Sequence, residues 1–261
     1  MSRASVRVSQ KLHMPMTKRL LDRQASLLDY LSSANAMLGV QADAPADPAL
    51  QAFDPGALRL QARFICNKRI EKVIAVFPRT LQIIGAGRRS ILREFVEASR
   101  STNKSTLANA REFHEFLCRR WQRSRAKPAY LRDVVACELA MAEARDVAED
   151  HGGPVKDSTG AGPRPGIRRR RNVVTLRCAY DVRTIFDARS RDVVPPRRAI
   201  SLVVTAPADF REVKVVEATS CIVEALSRLA DWADPSALDA FGDREKLVAE
   251  LAANEFIEMR A

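Results

Sequence analysis

The side chains with chemical potential are few and scattered. Three histidines (His13, His114, His151) and five cysteines (Cys66, Cys118, Cys137, Cys178, Cys221) are spread over 261 residues. Zinc sites draw ligands from close pairs such as CxxC or HxxxH, because one turn must present two of them to the metal. The chain has no CxxC and no HExxH; His114 sits beside Glu115 in a helical pattern and reads as a structural or surface histidine. An odd number of widely spaced cysteines argues against a disulfide framework, so they read as small buried hydrophobes. There is no GxSxG, P-loop or dinucleotide fingerprint. Gly85-Ala86-Gly87 reads as a loop closure, and Asp146, Glu149 and Asp150 as an exposed helix end. The expectation is a chain with no catalytic constellation, no metal site and no cofactor of its own, which binds rather than reacts.

Charge suggests what it could bind. The formal net charge is +11, which invites nucleic acid or an acidic protein as partner. The excess is local: residues 59–132 hold eighteen Lys/Arg against five Asp/Glu, and residues 218–261 hold four against nine. Aromatic residues are 6% of the chain, a poor supply for stacking single-stranded bases. No apolar run approaches the ~18 residues that cross a bilayer, and the start, MSRASVRVSQKLHMPMTKR, lacks the apolar centre of a secretory signal. The expected location is cytoplasmic, with no membrane partner.

The elements follow from periodicity. Residues 58–84 form the longest stretch that can be helical and buried: Leu58, Ala62, Ile65, Cys66, Val73, Ile74, Val76 and Phe77 share one broad face at ~100° per residue. Pro78 must end or bend that helix near Phe77, and Asp54-Pro55 supplies its cap and first turn. Arg59, Arg63 and Arg69 fall within or beside the apolar arc, where they either snorkel to water or form a cluster for a partner's carboxylates. Further helices are expected over 17–37, 88–99, 107–124 and 130–149, with 1–16 as a disordered tail and 41–55 as a loop.

Residues 151–172 hold five of the ten glycines and the run Arg168-Arg169-Arg170-Arg171, which reads as a linker. Beyond it the period changes to extended. Strands are expected over 173–180, 199–205 and 213–217, helices over 219–230, 237–241 and 243–254, and a last strand over 256–259. The fold class is therefore α+β: an all-α helical domain over 17–150, followed after the linker by a small winged-helix-like module over 173–261.

The blocks KRLLDRQASLLDYL, RLQARFICNKRIEKVIAVFPRTLQIIG, ILREFVEASRST, LANAREFHEFLCRRW and PAYLRDVVACELAMAEAR resemble a bacterial family labelled as a DNA-binding domain. Its members include partner subunits in methanobactin biosynthesis that accompany multinuclear non-haem iron oxygenases acting on ribosomally made peptides. The similarity spans about residues 17–145, and its specific features are Val76-Phe77-Pro78-Arg79-Thr80 and the PxYLxDVxxxE stretch from Pro128 to Glu138. The tail resembles the peptide-binding winged modules of peptide-modifying systems. The resemblance implies a non-catalytic partner of an iron oxygenase that helps present a precursor peptide, the iron residing in that enzyme. Arg59, Arg63 and Arg69 are the candidate partner-binding residues. An edge strand through Val213, Val215 and Glu217, beside Ile222 and Leu226, is the candidate peptide dock; the other reading of Ile222, Leu226 and Leu229 is the module's own core. The alternative function is DNA binding through the basic helical half, because the helix available in the winged module, DREKLVAELAAN, is mostly acidic or apolar.

Overall fold

The computed structural model describes residues 16–38, 47–99, 105–150, 166–187, 193–206 and 212–260. Residues 1–15 of the expected tail, residues 41–46 of the expected loop, residues 151–165, His13 and His151 lie outside them, and Met16 belongs to a helix rather than to the tail. The chain forms two compact units, Met1–Ile70 with Leu92–Asn103 and Glu71–Ile91 with Lys104–Ala261.

The first unit contains α1 (Met16–Ser32), α2 (Ala34–Leu38), most of α3 (Pro55–Val76) and most of α5 (Arg88–Ala98). The expected single helix over 17–37 is broken at Ser33, whose hydroxyl accepts from Ala36 N–H and so restarts the helix as α2. Asp54 caps α3 as its sequence suggests, accepting from Ala57 N–H at 2.8 Å. The core joins Leu27, Tyr30 and Leu31 of α1 to Leu58, Ala62 and Ile65 of α3. Ile74, placed on the buried arc by its spacing, is instead exposed.

In the second unit α3 stops at Val76, Phe77 takes an intermediate conformation, and α4 (Pro78–Ile84) begins with the proline at its first position. This is the expected break. Phe77 is fully buried, with its ring 5.3 Å from that of Phe113 on α6 (Thr106–Arg123). The expected helix over 130–149 is α7 (Leu131–Asp150), and it lies across a sheet. That sheet is an antiparallel meander in the order β2 (Val173–Cys178), β3 (Ile200–Thr205), β4 (Lys214–Ala218).

Both faces of the meander are covered, which explains apolar residues at successive positions, Val173-Val174, Leu202-Val203-Val204 and Val215-Val216, rather than strict alternation with polar ones. Leu176, Ile200, Leu202, Val204 and Val215 pack towards Val134, Cys137, Ala140 and Met141 of α7. Val173, Val203, Val216 and Ala218 point the other way, into a core with α9 (Ser220–Arg228) and α10 (Arg244–Ala253). A 3₁₀ segment, Pro235–Phe241, joins these helices, and β5 (Ile257–Arg260) follows. The architecture is α+β with helices first, and hairpin, helices and terminal strand follow in the expected order.

Part of the stretch read as linker is structured. Gly166–Arg169 forms β1, antiparallel to β5 with Gly166 opposite Arg260 and Arg168 opposite Glu258. Composition missed it because the arginines are engaged by particular partners. Arg168 pairs with Glu258, and its guanidinium lies 4.5 Å from the Trp232 ring, which Arg260 also covers. Arg169 N–H donates to Leu229 O and Arg170 N–H to Phe256 O. The arginine run is an ordered strand and turn. A short helix, α8 (Arg183–Asp187), was likewise not foreseen.

Candidate functional site

The strand proposed as a peptide dock is at an edge. Among the described residues β4 pairs with β3 alone, through Thr205 opposite Lys214 to Ser201 opposite Ala218. Alternate N–H and C=O groups of such a strand point outward and can accept a further strand. The residues named around it do not form one surface, because alternation sends them to opposite faces. Val215 lies on the α7 face of the sheet with Val213, and Val216 and Ala218 lie on the α9 face with Ile222. Ile222 is half-buried. Leu226 is 0% exposed and fills the core with Leu229, Leu238 and Leu251, so it presents nothing to a docked chain.

Glu217 is held in an ion-pair ring that clamps one end of β4. Arg198 Nη1 donates to Glu217 Oε1 at 2.8 Å and its Nη2 to Asp181 Oδ2 at 2.7 Å. Arg183 Nη2 donates to the same Asp181 oxygen at 2.7 Å and to Glu217 Oε2 at 2.9 Å. The Arg183 guanidinium holds the Asp181 carboxyl well below the usual carboxylate range, and Arg198 lowers Glu217. The ring joins α8, the segment before β3 and the edge strand. Arg183 and Glu217 alone are 34 residues apart, so local spacing gives no sign of it.

The three arginines proposed for a partner also separate. Arg63 is exposed and Arg59 half-buried, whereas Arg69 is 3% exposed. Arg69 donates to the Ser99 hydroxyl and lies 4.8 Å from the Phe95 ring centre. Arg69 is a core cation of the first unit, held by a hydroxyl and an aromatic face, and the i, i+4 and i, i+6 spacing from Arg63 said nothing of that. We expect Arg69→Ala to lower unfolding free energy by about 2 kcal/mol, and Arg63→Ala to change it by less than about 0.5 kcal/mol. Urea titrations of the two variants check this; equal effects would contradict the burial.

The two stretches most specific in the sequence meet at Glu138. Its carboxylate, reached from the middle of α7, accepts Arg79 N–H at 2.7 Å and Thr80 N–H at 3.0 Å. Phe77 offers α4 no side-chain cap, so Glu138 caps the helix from a distance of 58 residues. Burial pushes its carboxyl up to about 7 against these donors, which favour the charged form. Asp133, one turn earlier, accepts Ala179 N–H and Tyr180 N–H and so pins the end of β2 to the start of α7. The acidic residues of PxYLxDVxxxE thus serve as backbone caps. Their spacing was visible in the sequence, but not their use.

The thiol and imidazole that meet among the described residues are not an activated pair. Cys118 Sγ lies 3.7 Å from His114 Nε2, yet burial raises the thiol and lowers the imidazole, which opposes a thiolate–imidazolium pair. Burial drives the Cys178 thiol up to about 12 and Cys137 higher still. Among the described residues no group of three or more His, Cys, Asp or Glu side chains could hold a metal ion, and no helix is long and apolar enough to cross a membrane. No family model matches the chain, and no curated protein matches it.

Proposed function

We propose that the chain is a non-catalytic partner subunit that docks on a multinuclear iron oxygenase and helps present a ribosomally made precursor peptide for modification. The observation that supports this reading best is the edge strand β4, short, paired on one side among the described residues, and steadied by the Asp181–Arg183–Arg198–Glu217 ring. Strand addition needs a rigid edge with outward backbone groups, and its affinity comes from main-chain hydrogen bonds. On this reading the iron belongs to the partner enzyme, and the exposed Arg63 with the half-buried Arg59 faces that enzyme's carboxylates.

The test is hydrogen exchange on the complex with a precursor peptide encoded beside this chain. Alternate amides between Lys214 and Ala218 are expected to exchange quickly in the free chain and at least about tenfold more slowly with the peptide bound. Val215→Pro and Val216→Pro, one of which removes an outward donor, separate edge binding from ladder damage. Peptide binding without protection of β4 would overturn the site. Sequence-selective duplex binding at physiological salt, with a steep linear fall on logarithmic salt axes, would instead favour the DNA-binding alternative.

A further inference from the structure

We propose that the cavity beside Glu138 is a binding site for an apolar group that carries a carboxylate. This inference is independent of peptide capture at β4. The cavity measures about 470 Å³ and lies wholly within the second unit, in the size range of small-ligand pockets, roughly 300–1,000 Å³. Val76, Leu107, Met141 and Phe186 form its apolar wall. These residues come from four helices, so the wall is fixed by packing rather than by a loop.

Four charged side chains complete the lining: Arg79, Arg145, Glu138 and Asp146. The sign of the ligand follows from how each is used. Both carboxylate oxygens of Glu138 hold backbone N–H groups of α4, so neither is turned to a ligand. Asp146 is exposed on the last turns of α7, where water screens it. Against that one solvated carboxylate stand two cations: Arg79, whose Nη1 is already held by Gln82 Oε1 at 3.1 Å, and the exposed Arg145, whose planar fork can donate two parallel hydrogen bonds to a carboxylate. The first turn of α6, at Thr106 and Leu107, adds a dipole of the same sign. An apolar body on Met141 and Phe186 with its carboxylate towards Arg79 and Arg145 satisfies both halves of the lining. The same chemistry is offered by a small aryl or branched-chain acid and by an acidic residue next to an apolar one in a peptide.

The experiment titrates 3-phenylpropionate, 3-phenylpropanol and 3-phenylpropylamine into the full chain and follows amide shifts by NMR. The acid is expected to bind, the alcohol about tenfold more weakly, and the amine not measurably. Arg145→Gln should weaken the acid about tenfold and leave the alcohol unchanged, while Met141→Trp, which fills the cavity, should abolish binding of both. Arg145 is exposed, so its variant stays informative if the tryptophan variant does not fold. Acetyl-Asp-Phe-amide distinguishes the sources: tighter binding than the free acid assigns the site to a peptide segment, weaker binding to a small acid, and both support the chemistry. An amine that binds as well as the acid, no binding of the acid at millimolar concentration, or an acid affinity indifferent to Arg145→Gln would overturn the proposal.

Discussion

Glu138→Gln is expected to destabilise the second unit most in acid and least in alkali. Gln keeps the volume and one acceptor but turns an NH2, which cannot accept, towards the second backbone donor, Arg79 N–H or Thr80 N–H, whereas the hydroxyl oxygen of a protonated Glu138 can turn its hydrogen away and still accept. Leaving one buried donor unmatched costs about 1–3 kcal/mol. The pH dependence has a definite sign. Burial raises the folded carboxyl from 4.5 to about 7, so between those values the folded chain holds more protons than the unfolded one. The wild-type contribution of this group is therefore complete below pH 4.5 and declines as pH rises through about 7. At about 1.36 kcal/mol per pH unit, the decline approaches about 3 kcal/mol. Urea unfolding of wild type and variant, followed by fluorescence of the buried Trp121, should show a difference that is large at about pH 4 and shrinks by about pH 8. A difference that does not vary with pH would show that the carboxyl is not shifted upward.

Leu226→Ala should cost about 2–5 kcal/mol, the range for emptying a well-packed leucine site. Its side chain is wholly enclosed by Val203, Leu229, Leu238 and Leu251, contributed by β3, the end of α9, the 3₁₀ segment and α10. These elements can collapse little around the gap, because β1 and β5 close the same core through Ile167 and Ile257. Ile222→Ala, at a half-buried site on the same helix, should cost about 1 kcal/mol. The contrast separates core from contact surface: a Leu226→Ala chain with unchanged urea midpoint but lost peptide affinity would mean that Leu226 is reachable after all.

Periodicity made the helices legible, since α3, α5, α6 and α7 each carry an apolar face. Pro78 announced the break after Phe77 because a proline constrains its neighbour whatever the tertiary context. The strands were legible from β-branched runs, but their double covering was not, because the residues of α7 that cover one face were assigned to a separate helical domain. What sequence could not reveal were interactions that join distant residues. Arg69 looked like a surface cation until Phe95 and Ser99 were placed around it. Arg168 and Arg170 looked like linker until Glu258 and the Phe256 carbonyl supplied partners from the far end of the module. At the candidate dock, the edge position of β4 depends on strand order, and the division of Val215 and Ile222 between two faces depends on register.

The pairing of β1 with β5 also sets a timetable for synthesis. Arg168 meets Glu258 across 90 residues, so β1 leaves the ribosome with its partner still untranslated. At roughly 5–20 residues per second, that interval lasts on the order of 5–20 seconds. The meander β2–β3–β4 has only neighbouring strands to find and can settle during the wait, and Ile167 can reach Ala233, whereas the Arg168–Glu258 pair and the β1–β5 ladder wait for the last strand. Closure of the module is thus a late step of biogenesis, and a chain halted before residue 257 would carry a formed sheet with the α9–α10 core still open to chaperones and proteases.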